Sequence, residues 1–153
     1  MLERLRRFRA EYERCWPWLD GAISRFGRTH DMEQLWQELS ARRNVFFFSM
    51  PHCAAVVRVA LWPTGLKELH VWLVGGNLKE VRDGLYPKME AWGKQAGCHR
   101  MIAYGRRGWL RVLDGWMSHG TTRVKSLMGP QPTEVELRVL GYSELAARDG
   151  EEG

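Results

Sequence analysis

Apolar and polar positions alternate through Lys67-Glu68-Leu69-His70-Val71-Trp72-Leu73-Val74, a run rich in β-formers, and this pattern predicts a strand. Gly75-Gly76-Asn77 interrupts it. From Leu78 to Gln95 the apolar positions Leu78, Val81, Leu85, Met89 and Trp92 recur at three- and four-residue steps, so a helix follows. Asn77 suits its N-cap, and Gly97 suits its C-terminal glycine. A second strand is predicted over Arg100–Tyr104. Gly105-Arg106-Arg107-Gly108 then turns the chain into a short helix, Trp109 to Leu113, that ends at Gly115-Trp116.

The same pattern divides the rest of the chain. Leu2, Leu5, Phe8 and Tyr12 share one helical face, which predicts an amphipathic helix over residues 2–16. Pro17 suits the first turn of a separate helix, Trp18 to Phe26, closed by Gly27. Thr29 or Asp31 can cap a third helix, Met32 to Ala41, with Leu35, Trp36 and Leu39 inward. Strands are predicted at Asn44–Met50 and Cys53–Trp62, separated by Pro51-His52. With Pro63-Thr64-Gly65 leading into the Lys67 strand, the three form an antiparallel meander. Phe46, Phe47 and Phe48 in a row imply burial on both faces of the first strand, or an edge open to a pocket. Past Trp116, residues 117–120 read as a loop, Thr121 to Leu127 as a strand and Glu134 to Leu140 as a last strand. Residues 143–153 form a polar, acidic tail.

Two strands flanking a helix make a crossover unit, whose strands are normally parallel neighbours. Ligands in such sheets gather at the carboxyl ends of the strands. Both glycine turns, at Gly75 and at Gly105, fall at carboxyl ends and so face one edge.

The chain of 153 residues suits a single domain with one core. No apolar run approaches the ~20 residues of a membrane span, so no membrane is expected. The N-terminal arginines lead into no apolar segment of the secretory kind. Cys15, Cys53 and Cys98 are scattered and lack metal-ligand spacing, which leaves no metal site and suits a reducing cytoplasm. The net charge of +5 is unevenly spread: residues 1–28 carry seven arginines against four acids, and residues 99–125 carry six basic residues against Asp114. A basic protein of this kind suits phosphate-bearing partners: a nucleotide cofactor, nucleic acid or an anionic surface.

Candidate chemistry lies in three places. The backbone amides of Gly75 and Gly76, at a helix N-terminus, are suited to phosphate. Arg106 and Arg107 can clamp a phosphate bidentately, or form an ordinary basic surface turn. Glu68 and His70 share one face of the strand that leads to the first turn. Either can take a proton from a nucleophile, or that face is polar because it meets solvent or a partner. Arg58, inside an apolar strand, is assigned no role.

This order of motifs resembles the second half of the GCN5-related N-acetyltransferase (GNAT) fold, a mixed α/β sheet. The closer likeness is to small GNAT-like proteins encoded by tailed phages and prophages. It rests on Pro17-Trp18-Leu19, Gly27 to His30, Leu69-His70-Val71, Gly75-Gly76, Glu90-Ala91-Trp92, Gly97-Cys98 and Gly105-Arg106-Arg107-Gly108-Trp109. The resemblance implies N-terminal helices, an antiparallel meander, a strand–helix–strand crossover whose second strand splays away, and C-terminal strands. It implies that Val74, Gly75, Gly76, Asn77 and Leu78 hold the pyrophosphate of coenzyme A, with Arg106 and Arg107 beside them, and that acetyl-CoA is the cofactor. It ranks His70 first and Glu68 second as the base of an N-acyltransferase in the cytoplasm of a bacterial host, acting on an amine acceptor. The same likeness admits a second reading: a catalytically inactive structural or assembly component of the phage particle, found in the virion.

Overall fold

The computed structural model describes residues 2–25, 27–41, 44–104, 116–119 and 122–127. Element order is α1 (Leu2–Ser24), α2 (Met32–Ala41), β1 (Val45–Met50), β2 (Cys53–Leu61) and β3 (Lys67–Gly76). Then come α3 (Leu78–Glu80), a π-helical segment (Val81–Leu85), α4 (Tyr86–Gln95), β4 (Arg100–Tyr104), β5 (Met117–His119) and β6 (Thr122–Ser126). The strands form one sheet in the order β1-β2-β3-β4-β6-β5. Its β3–β4 pair is parallel and the other neighbours are antiparallel. The fold class is therefore the expected mixed α/β one, with helices first, a meander, a crossover and later strands. The short helix at 109–113, the strand at 134–140 and the tail at 143–153 lie outside the described residues.

Three local readings change. Pro17 does not divide two helices: α1 runs unbroken across it. A proline inside a helix deletes one bond, here to the carbonyl of Glu13. Glu13 and Pro17 are both exposed, so water can serve that carbonyl, while the buried stripe Tyr12, Cys15, Leu19, Ala22 and Ile23 continues in phase past the proline. Next, β3 extends beyond Val74 through Gly75 and Gly76, which pair with Ala54 and Cys53. Finally, Met117–His119 is strand β5, paired with β6; three residues are too few to show an alternation.

The helix ends follow from the sequence. Asp31 Oδ1 accepts the Gln34 amide at 2.8 Å and Gln34 Oε1 accepts the Asp31 amide at 3.0 Å, a reciprocal capping box. Gly97, at φ +80°, ends α4 with two bonds, its own amide to the Lys94 carbonyl at 3.2 Å and the Cys98 amide to the Gly93 carbonyl at 2.8 Å. The π-helical segment falls just before Pro87, which has no amide to continue the regular ladder.

Helices cover both faces of the sheet. On one face α4 and the π-helical segment bring Val81, Leu85 and Met89 against Val57, Leu69 and Met101. On the other, Tyr12, Leu19 and Ile23 of α1 and Leu35 of α2 meet Val56 and Leu73. The three phenylalanines of β1 divide as their alternation requires: Phe46 and Phe48 pack toward Trp92, Phe47 toward Phe8. The Tyr12 hydroxyl donates to the Met32 carbonyl at 2.6 Å and so ties α1 to the start of α2.

Candidate functional site at the parting of β3 and β4

The register between β2 and β3 shifts at one point. Val57 faces Val71 and Val56 faces Leu73, which leaves Trp72 as an extra residue in a β-bulge. The bulge restarts the alternation. Leu69 and Val71 point into the α4 side of the core, whereas Trp72 and Leu73 both belong to the α1 side. At the same level β3 loses its other neighbour. Its parallel pairing with β4 covers Glu68–Arg100, Leu69–Met101, His70–Ile102 and Val71–Ala103, and ends there. From Trp72 to Gly76 the strand keeps β2 on one side, and no described strand pairs with its other edge. A bulge beside a strand parting re-aims side chains and leaves backbone hydrogen-bonding groups for a ligand.

Glu68 and His70 stand just before the parting. Both are buried, at 0% and 4% exposure. The His70 Nε2 lies 3.4 Å from Glu68 Oε1, and the Trp62 indole Nε1–H donates to the same oxygen. Glu68 Oε2 is buried and has no hydrogen-bond partner among the described residues. An unmatched oxygen of this kind costs about 1–3 kcal/mol. The polar face of this strand is thus turned inward.

Arg58 is directly opposite His70 on β2. Its guanidinium carbon lies 3.7 Å above the Trp72 ring. The His30 ring meets Trp72 edge-on at 5.2 Å; His30 itself is held by Thr29 Oγ1 at 2.8 Å and Glu38 Oε1 at 3.3 Å. Arg58, Trp72 and His30 thus lie beside the Glu68–His70 pair on the α1 side, and the bulge turns Leu73 to that side as well. The sequence reading passed over Arg58, Trp62 and Trp72. An arginine in an otherwise apolar strand was the available sign; the bulge itself depends on a partner strand and leaves no mark in the local pattern.

The glycine turn packs closely against this chain's own backbone. A β-carbon on Gly75 would lie 2.8 Å from the carbonyl carbon of Trp18, and nearer still to its oxygen. One on Gly76, whose φ is +114°, would lie 2.5 Å from the Cys53 Cα. Both glycines therefore make room for this chain's own backbone. The Asn77 amide donates to the His52 carbonyl at 2.8 Å, and Asn77 Oδ1 caps the Glu80 amide at 2.9 Å. Glu80 fills the first turn with a carboxylate that accepts the His52 amide at 2.9 Å and meets His52 Nδ1 at 2.9 Å. The His52 backbone amide, chiefly, holds this carboxyl below its usual range. Val74 is half-buried against the α4-side core, and Leu78 is exposed. Arg106 and Arg107 lie outside the described residues.

His70 and Gly75 are five residues apart on one strand, roughly 16 Å at the usual rise. A ligand reaching both is long and extended, and no described strand pairs with the β3 edge between them. On the side where a β-carbon would project, Gly75 and Gly76 are packed against Trp18, His52 and Cys53.

Among the described residues, no group of three or more His, Cys, Asp or Glu side chains converges as a metal site. Nor is any helix among them long and apolar enough to cross a membrane. No protein-family model and no curated protein matches the chain. The fold is compatible with the GNAT arrangement.

Proposed function

We propose that this protein is a phage-encoded, acyl-CoA-dependent N-acyltransferase of the GNAT type. The observation that carries the proposal is the coincidence of the Trp72 bulge, the end of the β3–β4 pairing and the buried Glu68–His70 pair. Acyl-CoA supplies an activated thioester when bound. The edge of β3 from Trp72 to Gly76, which no described strand pairs, would hold its extended arm, the turn from Val74 to Leu78 would receive its phosphates, and Arg106 and Arg107 would add positive charge.

His70 is the base. It would take a proton from the acceptor amine, while bound acyl-CoA would supply the acyl group and a thiol leaving group. Glu68, anchored by Trp62, faces Nε2 and turns Nδ1 away from the carboxylate. As the imidazole gains charge, the carboxylate stabilises it, so the pair works as a unit. A buried pair next to the strand parting keeps this transfer out of bulk water.

Calorimetry with acetyl-CoA tests the reading. Saturable micromolar binding is expected, and His70→Gln should keep that binding while lowering acyl transfer by about 10²–10⁴-fold. No binding at millimolar ligand would sink it.

A second reading has its own support. Gly75 and Gly76 are fully accounted for by packing against Trp18 and Cys53, as a turn with no ligand would be. On that reading the protein is a catalytically inactive particle or assembly component, and mass spectrometry of purified virions would find it at fixed copy number.

A further inference from the structure

The sequence offers Thr29 or Asp31 as the cap of α2, and the structure gives that task to Asp31, whose Oδ1 accepts the Gln34 amide at 2.8 Å. The Thr29 hydroxyl has another use: its Oγ1 lies 2.8 Å from His30 Nδ1. The second ring nitrogen of His30, Nε2, lies 3.3 Å from Glu38 Oε1, and the Trp72 ring meets the imidazole edge-on at 5.2 Å. A carboxylate facing Nε2 holds the ring proton there, so Nδ1 carries the lone pair and the hydroxyl donates to it. Hydroxyl, imidazole and carboxylate in this order are the parts of an activated nucleophile: a base within hydrogen-bond reach, and a third group that orients the base. The His30 and Glu38 side chains are only 13% and 20% exposed. This chain of groups opens onto a pocket of about 380 Å³, lined by Thr29, His30, Gln34, Gln37, Glu38 and Ala41. Positions 34, 37, 38 and 41 are three and four apart on α2, so one helix face brings the carboxylate and two amides to the same wall. Gln34 Oε1 accepts the Asp31 amide at 3.0 Å, which leaves the NH₂ end of that side chain to donate.

We propose that Thr29, His30 and Glu38 form a second catalytic site, an esterase centre with Thr29 as nucleophile and small carboxylic esters as substrates. Thr29 Oγ1 bonds to the acyl carbon while His30 Nδ1 takes its proton. The ester carbon–oxygen bond then breaks, and the alcohol leaves with that proton. A water molecule attacks the acyl-threonine in the same way, giving its proton to Nδ1, and Thr29 Oγ1 regains a proton as the carboxylic acid departs. The NH₂ groups of Gln34 and Gln37 supply donors for the oxyanion. Glu38 is a positioning residue that keeps the ring tautomer and stabilises the imidazolium. The site shares no residue with the Glu68–His70 pair and needs no coenzyme A, so it is independent of the acyl-CoA reading.

The test uses the full chain and p-nitrophenyl trimethylacetate, without coenzyme A, because the bulky acyl group slows the second step. A near-stoichiometric burst of p-nitrophenolate is expected, and peptide mass spectrometry should find the acyl group on Thr29. Thr29→Val should abolish burst and label, while Thr29→Ser should keep both. His30→Gln should slow the burst by about 10²–10⁴-fold. Glu38→Gln can present an N–H to Nε2 and so favour the wrong tautomer; it should also slow the burst, and Glu38→Asp should recover part of the rate. Release no faster than in buffer, or label found only on residues other than Thr29, would overturn the assignment. So would a Thr29 label that forms at an unchanged rate in His30→Gln. If a variant does not fold, the position of the label on the wild-type chain decides alone.

Discussion

The backbone carbonyl of Trp18 closes over Gly75 so tightly that the two residues share the space of a single side chain. Helix α1 meets the sheet there through its main chain. The motif that resembles a phosphate loop thus has a structural duty of its own, and mutations in it carry two effects.

Gly75→Ala is therefore expected to destabilise the fold by about 1–3 kcal/mol through overpacking. Gly76→Ala adds the strain of φ +114° to a collision with Cys53, and should cost more. Urea unfolding of both variants checks this. A loss of acetyl-CoA binding in either counts against a direct contact unless stability is retained.

Trp62→Phe removes the indole donor from Glu68 Oε1 and leaves a buried carboxylate with less compensation. The expected loss is about 1–3 kcal/mol. In a Glu68→Leu background the same change should cost far less, because the acceptor is gone; a double-mutant cycle measures the difference. Equal costs in both backgrounds would show that the indole acts by packing alone.

Asp31→Ala breaks the capping box that begins α2, and about 1 kcal/mol should be lost. Gln34→Ala should cost less, since it leaves the Asp31 bond to the helix amide in place. Thermal unfolding of the two variants, side by side, reads the order.

Burial pushes the Cys15 thiol up to about 11 and, with Glu80 nearby, the Cys53 thiol up to about 12. Their ordinary value is 9.0. Between the two, the unfolded chain gives up protons that the folded chain keeps. This contribution is complete below pH 9, and stability should fall as pH rises from 9 toward 12. All three cysteines are buried. A thiol-exchange reagent at about pH 8 should react slowly with the native protein and rapidly once urea is added.

The elements legible in the sequence were those whose partners are local. Periodicity placed the helical stretch from Leu78 to Gln95, and glycine chemistry placed its end at Gly97. The meander followed from short turns. Three features were hidden because their cause lies across the sheet or across a helix turn. Pro17 reads as a boundary, and only the packed stripe from Tyr12 to Ile23 keeps α1 whole. Trp72 reads as one more residue in an alternating strand, and only β2 makes it a bulge. Glu68 and His70 read as a polar face of unknown direction, and only the surrounding layers turn it inward. The polar character of Glu68 and His70 was thus legible, while their burial and their neighbour Arg58 needed the fold.

A short parallel seam lies in the middle of the sheet. The meander β1-β2-β3 and the group β4-β6-β5 are each knit by neighbouring antiparallel strands, and among the described residues they join through the four paired positions from Glu68–Arg100 to Val71–Ala103. Pull on this molecule and it should part there first. The amides along that seam should exchange with solvent ahead of those between β2 and β3. Any extended molecule that lies along the free stretch of β3 lengthens the seam, so a bound guest would act on the whole body as a splint.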